Sequence, residues 1–215
     1  VGRHSQGVPR TLALTSDRST LVSLGDRGLC AWDLRKRILR WDRCYQYPSS
    51  VAILPNAQTM VCSTSERNAG RIEEIDMATG KTLQVVVAAG PVVRTLVASP
   101  DGRFVAGIKG DNDLFLLERT QGAADWHQHK SPAQGDVLAR AVPAFSPQSN
   151  LLVLGGRDGR TLLVWNLRHP ITVHQVGLPT DPMLIGHLFL DQDTLLSWTQ
   201  EGDLQSWRLS EQLKI

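Results

Sequence analysis

His127 and His129 stand two residues apart in a segment with strand character. Alternate side chains of a β-strand project from the same side, so both imidazoles would share one face. Two imidazoles on one face could supply half of a tetrahedral zinc site. No third ligand is evident for them in the sequence. We therefore interpret the pair as part of an exposed outer strand, and we predict neither a metal site nor a cofactor.

Residues suited to other chemistry are present but are not arranged for it. Serine, histidine and aspartate are scattered, and no G-x-S-x-G sequence occurs. Gly155–Gly159 has the composition of a hairpin turn and lacks the lysine of a phosphate-binding loop. Asp191 and Asp193 flank a turn, where carboxylates are usually solvated. The sequence thus predicts no catalytic residues, and we expect the protein not to be an enzyme.

The cysteines and the apolar segments restrict the surroundings of the chain. Cys30, Cys44 and Cys62 form no C-x-x-C pair. An odd count without such a pair argues against a disulfide framework and favours reduced thiols in a cytoplasmic, intracellular protein. Apolar runs such as Leu83–Ala89 are far too short to cross a bilayer, so we expect no membrane contact.

The strongest charge feature is the basic stretch Arg35–Arg43, which holds five lysines and arginines. Such a stretch can bind nucleic acid or another polyanion through its positive field. The alternative is an edge strand that charge protects from unwanted pairing. We favour the edge strand, because the net charge is only +2 and acidic residues interleave with the basic ones. Nucleic acid is accordingly an unlikely partner.

An internal repeat dominates the rest of the sequence. Five segments read as apolar strand, polar turn and apolar strand, and they end at the anchors Trp32, Ile75, Leu117, Trp165 and Trp207. The anchors recur every 42 to 48 residues. A period of about 40–45 residues with four strands per unit is typical of a β-propeller. We predict an all-β fold of about five four-stranded antiparallel blades.

The strands of each unit can be assigned from their turns. In the third unit we predict strands at Val92–Ala98, Arg103–Ile108 and Leu114–Glu118, and a fourth near Asp125–His129. The whole chain, residues 1–215, is interpreted as one propeller domain or propeller fragment. The predicted blades span residues 10–44, 50–88, 92–130, 140–176 and 184–209.

These units resemble the WD-repeat family from about Arg10 to Leu209. The most specific stretches are Leu21–Leu34, Ala98–Arg103 and Leu151–Leu167. In that family an acidic residue often lies six positions before the anchor. Here the matching positions are Asp26 before Trp32, Asp111 before Leu117, and Glu201 before Trp207.

The resemblance also has gaps. The family's Gly-His pair before the first strand is missing, and Gly186-His187 falls inside a predicted strand. The hydrogen-bond network of that histidine therefore cannot form as usual, and we expect apolar packing to hold the blades together. Trp165 and its equivalents should pack between blades. Trp41 and Trp126, on outer strands, either pack on a neighbouring segment or are exposed.

The number of blades stays open. Propellers of the family usually close with seven blades, whereas five sets of inner strands and only four outer strands are visible here. Val1–Gly7 could supply the missing strand and close the ring within the chain. Otherwise the chain is an arc of a larger, seven-bladed ring completed by another segment or chain. The first residue is not methionine, so we expect a processed product or a piece of a longer protein.

The resemblance implies an interaction scaffold or sensor module, non-catalytic and part of a larger protein or complex. In the family, partners bind the face formed by the loops that lead into each blade and the turns between second and third strands. The candidate contacts on that face are Tyr45, Tyr47, Arg67, Asp111, Lys130 and Arg157. One tyrosine could instead plug a blade interface. The alternatives are an anion-binding propeller that uses Arg35–Arg43, and a propeller-type enzyme.

Overall fold

The computed structural model describes residues 5, 7–45, 47–66, 69–120, 125–129, 142–168, 171–177 and 183–213. Within these ranges the chain forms four four-stranded sheets and one three-stranded sheet, and consecutive strands pair antiparallel. The predicted all-β propeller fold is confirmed. No helix of the described residues is long and apolar enough to cross a membrane.

Each sheet is one blade, numbered in chain order. Blade 1 contains β1 (Pro9–Leu14), β2 (Thr20–Gly25), β3 (Gly28–Asp33) and β4 (Ile38–Cys44). Blade 2 contains β5 (Pro48–Ile53), β6 (Thr59–Glu66), β7 (Ala69–Asp76) and β8 (Thr82–Gly90). Blade 3 contains β9 (Val93–Ala98), β10 (Phe104–Lys109), β11 (Leu114–Arg119) and β12 (Trp126–His129).

Blade 4 contains β13 (Ala144–Phe145), β14 (Leu151–Gly155), β15 (Thr161–Asn166) and β16 (Thr172–Gly177). Blade 5 contains β17 (Leu184–Phe189), β18 (Thr194–Thr199) and β19 (Leu204–Arg208). It ends in a single helical turn, α1 (Leu209–Leu213), which the sequence analysis did not anticipate. Leu209 is buried against blade 4, and the carboxylate of Asp193 accepts a hydrogen bond from the Ser210 amide at 2.7 Å.

The turn between the first and second strands is built by the same local chemistry in three blades. The hydroxyls of Thr15, Ser99 and Ser146 each accept a hydrogen bond from the backbone amide five residues further on. These bonds satisfy amides that the sheet ladder cannot reach, and they fix the length of the turn. Small polar residues at this position thus set the register of the first two strands.

Apolar clusters lie between neighbouring blades. Between blades 3 and 4, for example, Phe104 and Leu116 pack against Leu152 and Trp165. Equivalent clusters join blades 1 and 2, blades 2 and 3, and blades 4 and 5. Among the described residues, no such cluster joins blade 5 to blade 1.

Polar contacts also link blades, which the expectation of mainly apolar packing did not include. Glu73 and Glu74 are consecutive residues of β7, so their side chains point to opposite faces of blade 2. Glu73 bonds to Arg43 of blade 1, and Glu74 bonds to Arg119 of blade 3. Both carboxylates are buried. Ion pairs therefore connect three consecutive blades beside the apolar clusters.

Candidate functional site

The loops that lead into each blade and the turns between second and third strands lie at the same end of the blades, because neighbouring strands alternate in direction. We call this end the upper face, and it carries Tyr47, Asp111, Arg157 and Glu201. The opposite end is the lower face. Of the predicted contact residues, Tyr45, Tyr47, Asp111 and Arg157 lie at the upper face. Arg67 and Lys130 lie outside the described residues.

Tyr45 is part of the interface between blades 1 and 2. Its hydroxyl donates a hydrogen bond to Glu73 Oε2 at 3.0 Å, and the Arg43 guanidinium lies 4.5 Å from its ring centre. Burial, together with the nearby Cys62 and Glu73, raises the pKa of the Tyr45 hydroxyl, which therefore stays protonated as a donor. This tyrosine fills the blade interface, as one of the two alternatives from the sequence anticipated.

Tyr47 is the opposite case. Its side chain is 75% exposed, and its φ of 48° lies in the left-handed region, which a bulky residue rarely adopts. The next residue, Pro48, starts β5. The Ser65 amide donates a hydrogen bond to the Tyr47 carbonyl at 3.1 Å and holds this backbone in place. The fold thus presents a large aromatic side chain to solvent in a strained conformation.

The acidic residues of the upper face mostly organise their own turns. Asp26 forms an ion pair with Arg10, and Asp111 Oδ1 accepts a hydrogen bond from the Asp113 amide at 3.3 Å. Burial alone raises the pKa of Asp158, but hydrogen bonds from Arg160 and Thr161 outweigh it and the pKa is lowered. The Asp158 carboxylate is therefore charged at neutral pH. Acidic and basic side chains both lie at the upper face.

A shallow depression of about 500 Å³ lies at the upper face of blade 4. It is lined by Arg157, Asp158, Thr161, Leu163 and Gln175. The predicted contact residue Arg157 is exposed at its rim. The depression adds one concave, polar surface to the face that carries Tyr47.

The anchor tryptophans differ in their hydrogen bonding. Trp32 Nε1 donates to Ser23 Oγ at 2.8 Å, and Trp207 Nε1 donates to Ser197 Oγ at 2.7 Å. Trp165 is 1% exposed, and its Nε1 has no partner among the described residues. These Trp–Ser pairs were not predicted from the sequence, although a serine nine or ten positions before the anchor was a visible signal.

The outer-strand tryptophans pack on neighbouring blades. Trp41 Nε1 donates to the Met77 carbonyl at 2.9 Å. Its indole lies against Gly80, where a Cβ atom would clash and where φ is +71°. Trp126 donates to Glu74 at 3.1 Å, with the Arg119 guanidinium 4.2 Å from its ring centre. The alternative that these two rings are free surface contacts is therefore not observed.

The basic stretch is partly used within the fold. Arg40 pairs with Asp33 at 3.1 Å and Arg43 with Glu73 at 3.3 Å. The remaining basic residues, Arg35–Arg37, are exposed in the turn between β3 and β4, on the lower face. The two arginines of β4 are thus held in ion pairs, which weakens the anion-binding alternative.

The two histidines considered for metal binding contact each other and one carboxylate. The rings of His127 and His129 meet edge to face at 5.0 Å, and His129 contacts Glu118 at 2.7 Å. In the part of the chain that the structure describes, no three His, Cys, Asp or Glu side chains are placed to hold a metal ion. Burial raises the pKa of Cys62 and keeps it a thiol.

His187 lies in the interface between blades 4 and 5 and is buried. Its Nε2 is 2.9 Å from the Val153 carbonyl, which fixes the Nε2–H tautomer, since a carbonyl can only accept. Its Nδ1 has no partner within the described residues. Burial lowers the pKa of His187 below its usual 6.5, and the Val153 bond only partly offsets this effect.

We expect His187 to make the fold sensitive to acid. The unfolded chain takes up this proton near pH 6.5, whereas the folded chain resists it, so stability is full above that pH and falls as pH drops below it. Between pH 7.5 and 5 the loss can reach at most about 2 kcal/mol, since only the interval below pH 6.5 contributes. Measured by thermal unfolding, the stability of His187→Gln should fall less than that of the parent over this pH range. The stability of the exposed control His174→Gln should fall as much as that of the parent. Equal slopes for all three proteins would contradict the assignment.

Comparison with protein-family models gives no match, and neither does comparison with curated proteins. The fold itself is widely represented, since 1433 chains of solved structures match it. One is hydrazine synthase of Kuenenia stuttgartiensis, with a TM-score of 0.68 and 16% identity over 93% of this chain and 71% of that chain. At that identity the likeness shows the propeller fold alone.

Proposed function

We propose that this chain is a non-catalytic protein–protein interaction module of the WD-repeat type, which binds a protein partner on its upper face. Tyr47 is the observation that carries the proposal. Six described non-glycine residues have a positive φ, and Tyr47 is the only aromatic one and the only one in a loop that leads into a blade. Residues held in such strained conformations concentrate at functional sites. An exposed tyrosine on a rigid sheet scaffold offers large contact area at low cost in side-chain entropy.

The blades act as the scaffold in this proposal. The β5–β6 pair that holds the Tyr47 backbone is packed into two interblade clusters, so this backbone is positioned before a partner arrives. Preorganisation of this kind lowers the entropy cost of binding. The charged residues Asp111 and Arg157 would form the polar rim that surrounds an aromatic contact. An intracellular setting fits the three cysteines, none of which forms a disulfide.

Tyr47→Asn should separate binding from folding. Asparagine tolerates the left-handed conformation, so the free energy of unfolding should rise by about 1 kcal/mol. Loss of the aromatic contact should weaken partner binding by about 2 kcal/mol. The measurements are a denaturant melt and a calorimetric titration with the partner, once that partner has been identified by crosslinking.

Tyr45→Phe is the matched control for this change. It removes the hydroxyl that bonds to Glu73, so it should lower stability by about 1 kcal/mol and leave binding intact. If Tyr47→Asn binds the partner as tightly as the parent, the upper face around Tyr47 is not the binding surface. Binding that weakens steeply with salt and needs the Arg35–Arg37 turn would favour the anion-binding alternative.

A further inference from the structure

Among the described residues, no further blade covers one sheet face of each terminal blade. On blade 1, four residues form one cross-strand row: Leu14, Leu21, Trp32 and Leu39. On blade 5, Leu188 pairs with Leu196, and Trp198 pairs with Leu204. We call these two surfaces the first and second free faces. Leu14 and Leu39 are exposed on the first, and Leu188 and Leu204 on the second, where Leu204 is 68% exposed.

The first free face matches a surface that is covered elsewhere in the same chain. Blade 4 presents the equivalent row to blade 3: Phe145, Leu152, Trp165 and Val173. There Leu152 and Trp165 are fully buried by the strands of blade 3. Trp32 holds the position of Trp165, but it is only half-buried. The row on blade 1 is therefore one half of the interface that recurs between the blades.

The second free face is the other half. Its pair Leu188–Leu196 takes the place of Ala144–Val153 in blade 4 and of Val97–Ala106 in blade 3. Val153 and Ala106 are buried by the blade that follows. Leu188 is exposed instead. Both halves are apolar, and exposed apolar faces of this kind mark contact surfaces.

Of the residues before β1, the described ones cover only part of the first free face. The Ser5 hydroxyl lies 3.5 Å from Cys30 Sγ and also contacts Asp42, on the row next to that of Trp32. Gly7 lies against Asp26 and Arg27 of the same blade. Ser5 and Gly7 therefore lie on blade 1. Closure of the ring by Val1–Gly7 would require them to lie on blade 5. Val1–His4 lie outside the described residues. Leu12 remains 64% exposed.

We propose that each free face is covered by a further blade, a four-stranded antiparallel sheet with an apolar face, which the described residues do not supply. Propellers typically close with 4–8 blades, so about one to three more would complete this ring. Two copies of this chain joined end to end would make ten, outside that range, which disfavours a second copy. The proposal is independent of the partner bound at the upper face.

The test adds blades taken from the chain itself. One, two or three copies of residues 142–183, which contain blade 4, are appended after residue 213. One of these numbers should close the ring and raise the midpoint of thermal unfolding by at least about 5 °C over the parent. Leu14→Asp, on the first free face, should abolish that rise. Leu83→Asp, at an exposed leucine of β8 away from both free faces, should keep it.

Two further measurements keep the proposal open to contradiction if an extended chain does not fold. Without added blades, Leu14→Asp and Leu204→Asp should leave the midpoint of thermal unfolding unchanged and reduce binding of a hydrophobic dye. A large fall in the midpoint of either variant would show that these faces are already packed. Sedimentation velocity tests a second copy as the occupant. If the parent dimerises, and the two variants form a dimer only when mixed, then a second copy fills the faces and the proposal is wrong. No rise with any number of added blades also overturns it.

Discussion

Replacing Trp165 with alanine is expected to lower the free energy of unfolding by about 3–5 kcal/mol, as for a large aromatic side chain removed from a packed core. Trp165 is 1% exposed and belongs to the cluster of ten buried residues between blades 3 and 4. The rigid sheets on both sides cannot collapse into the space that alanine leaves. A urea melt followed by circular dichroism measures the change.

Trp165→Phe is the control for this prediction. It keeps much of the ring volume and removes an indole N–H that has no acceptor among the described residues. A buried donor without a partner costs about 1–3 kcal/mol, so its removal offsets part of the lost packing. We expect a loss well below that of Trp165→Ala. A loss below about 1 kcal/mol for Trp165→Ala itself would show that the residue is not core.

Replacing Glu73 with alanine should have the second-largest effect, a loss of about 3 kcal/mol. The side chain accepts hydrogen bonds from Thr82 at 2.8 Å, Arg71 at 2.6 Å and Tyr45 at 3.0 Å. Removing one partner of a buried ion pair typically costs about 3–5 kcal/mol. The lower figure applies because about a third of each arginine side chain that meets Glu73 reaches solvent.

The same network gives Glu73 a dependence on pH. Burial alone raises its pKa, but the hydrogen bonds from Thr82, Arg71 and Tyr45 and the charge of Arg43 outweigh burial, and the pKa lies below 4.5. Its contribution is therefore present above pH 4.5 and is lost as pH falls through the folded pKa. Denaturant melts of Glu73→Ala and of the exposed control Glu201→Ala measure the effect. A similarly small loss of unfolding free energy in both variants would contradict the stabilising role of the Glu73 network.

The strands could be predicted from sequence because their signals are local. Turn residues delimit each strand, and the predicted Val92–Ala98 differs by one residue from the observed Val93–Ala98. The blade contacts could not be predicted in this way. Glu73 meets Arg43 from 30 residues away and Glu74 meets Arg119 from 45, and no local pattern encodes which charged side chains meet across a blade interface.

The candidate site shows the same limit. The sequence placed Tyr45 and Tyr47 in one loop but could not decide which ring packs and which is exposed. That choice depends on the backbone turn at Tyr47, where φ is positive, and on the Glu73 acceptor that draws Tyr45 inward. Both causes lie in tertiary structure.

Photo-crosslinking from position 47 tests most directly whether the chain is an interaction module that uses its upper face. A benzophenone amino acid replaces Tyr47 in one sample and Lys36, in the exposed lower-face turn, in another. Both are irradiated in cells, and the adducts are identified by mass spectrometry. The account predicts a discrete protein adduct from position 47 and none from position 36. Adducts from position 36 alone, or adducts to nucleic acid, would contradict it.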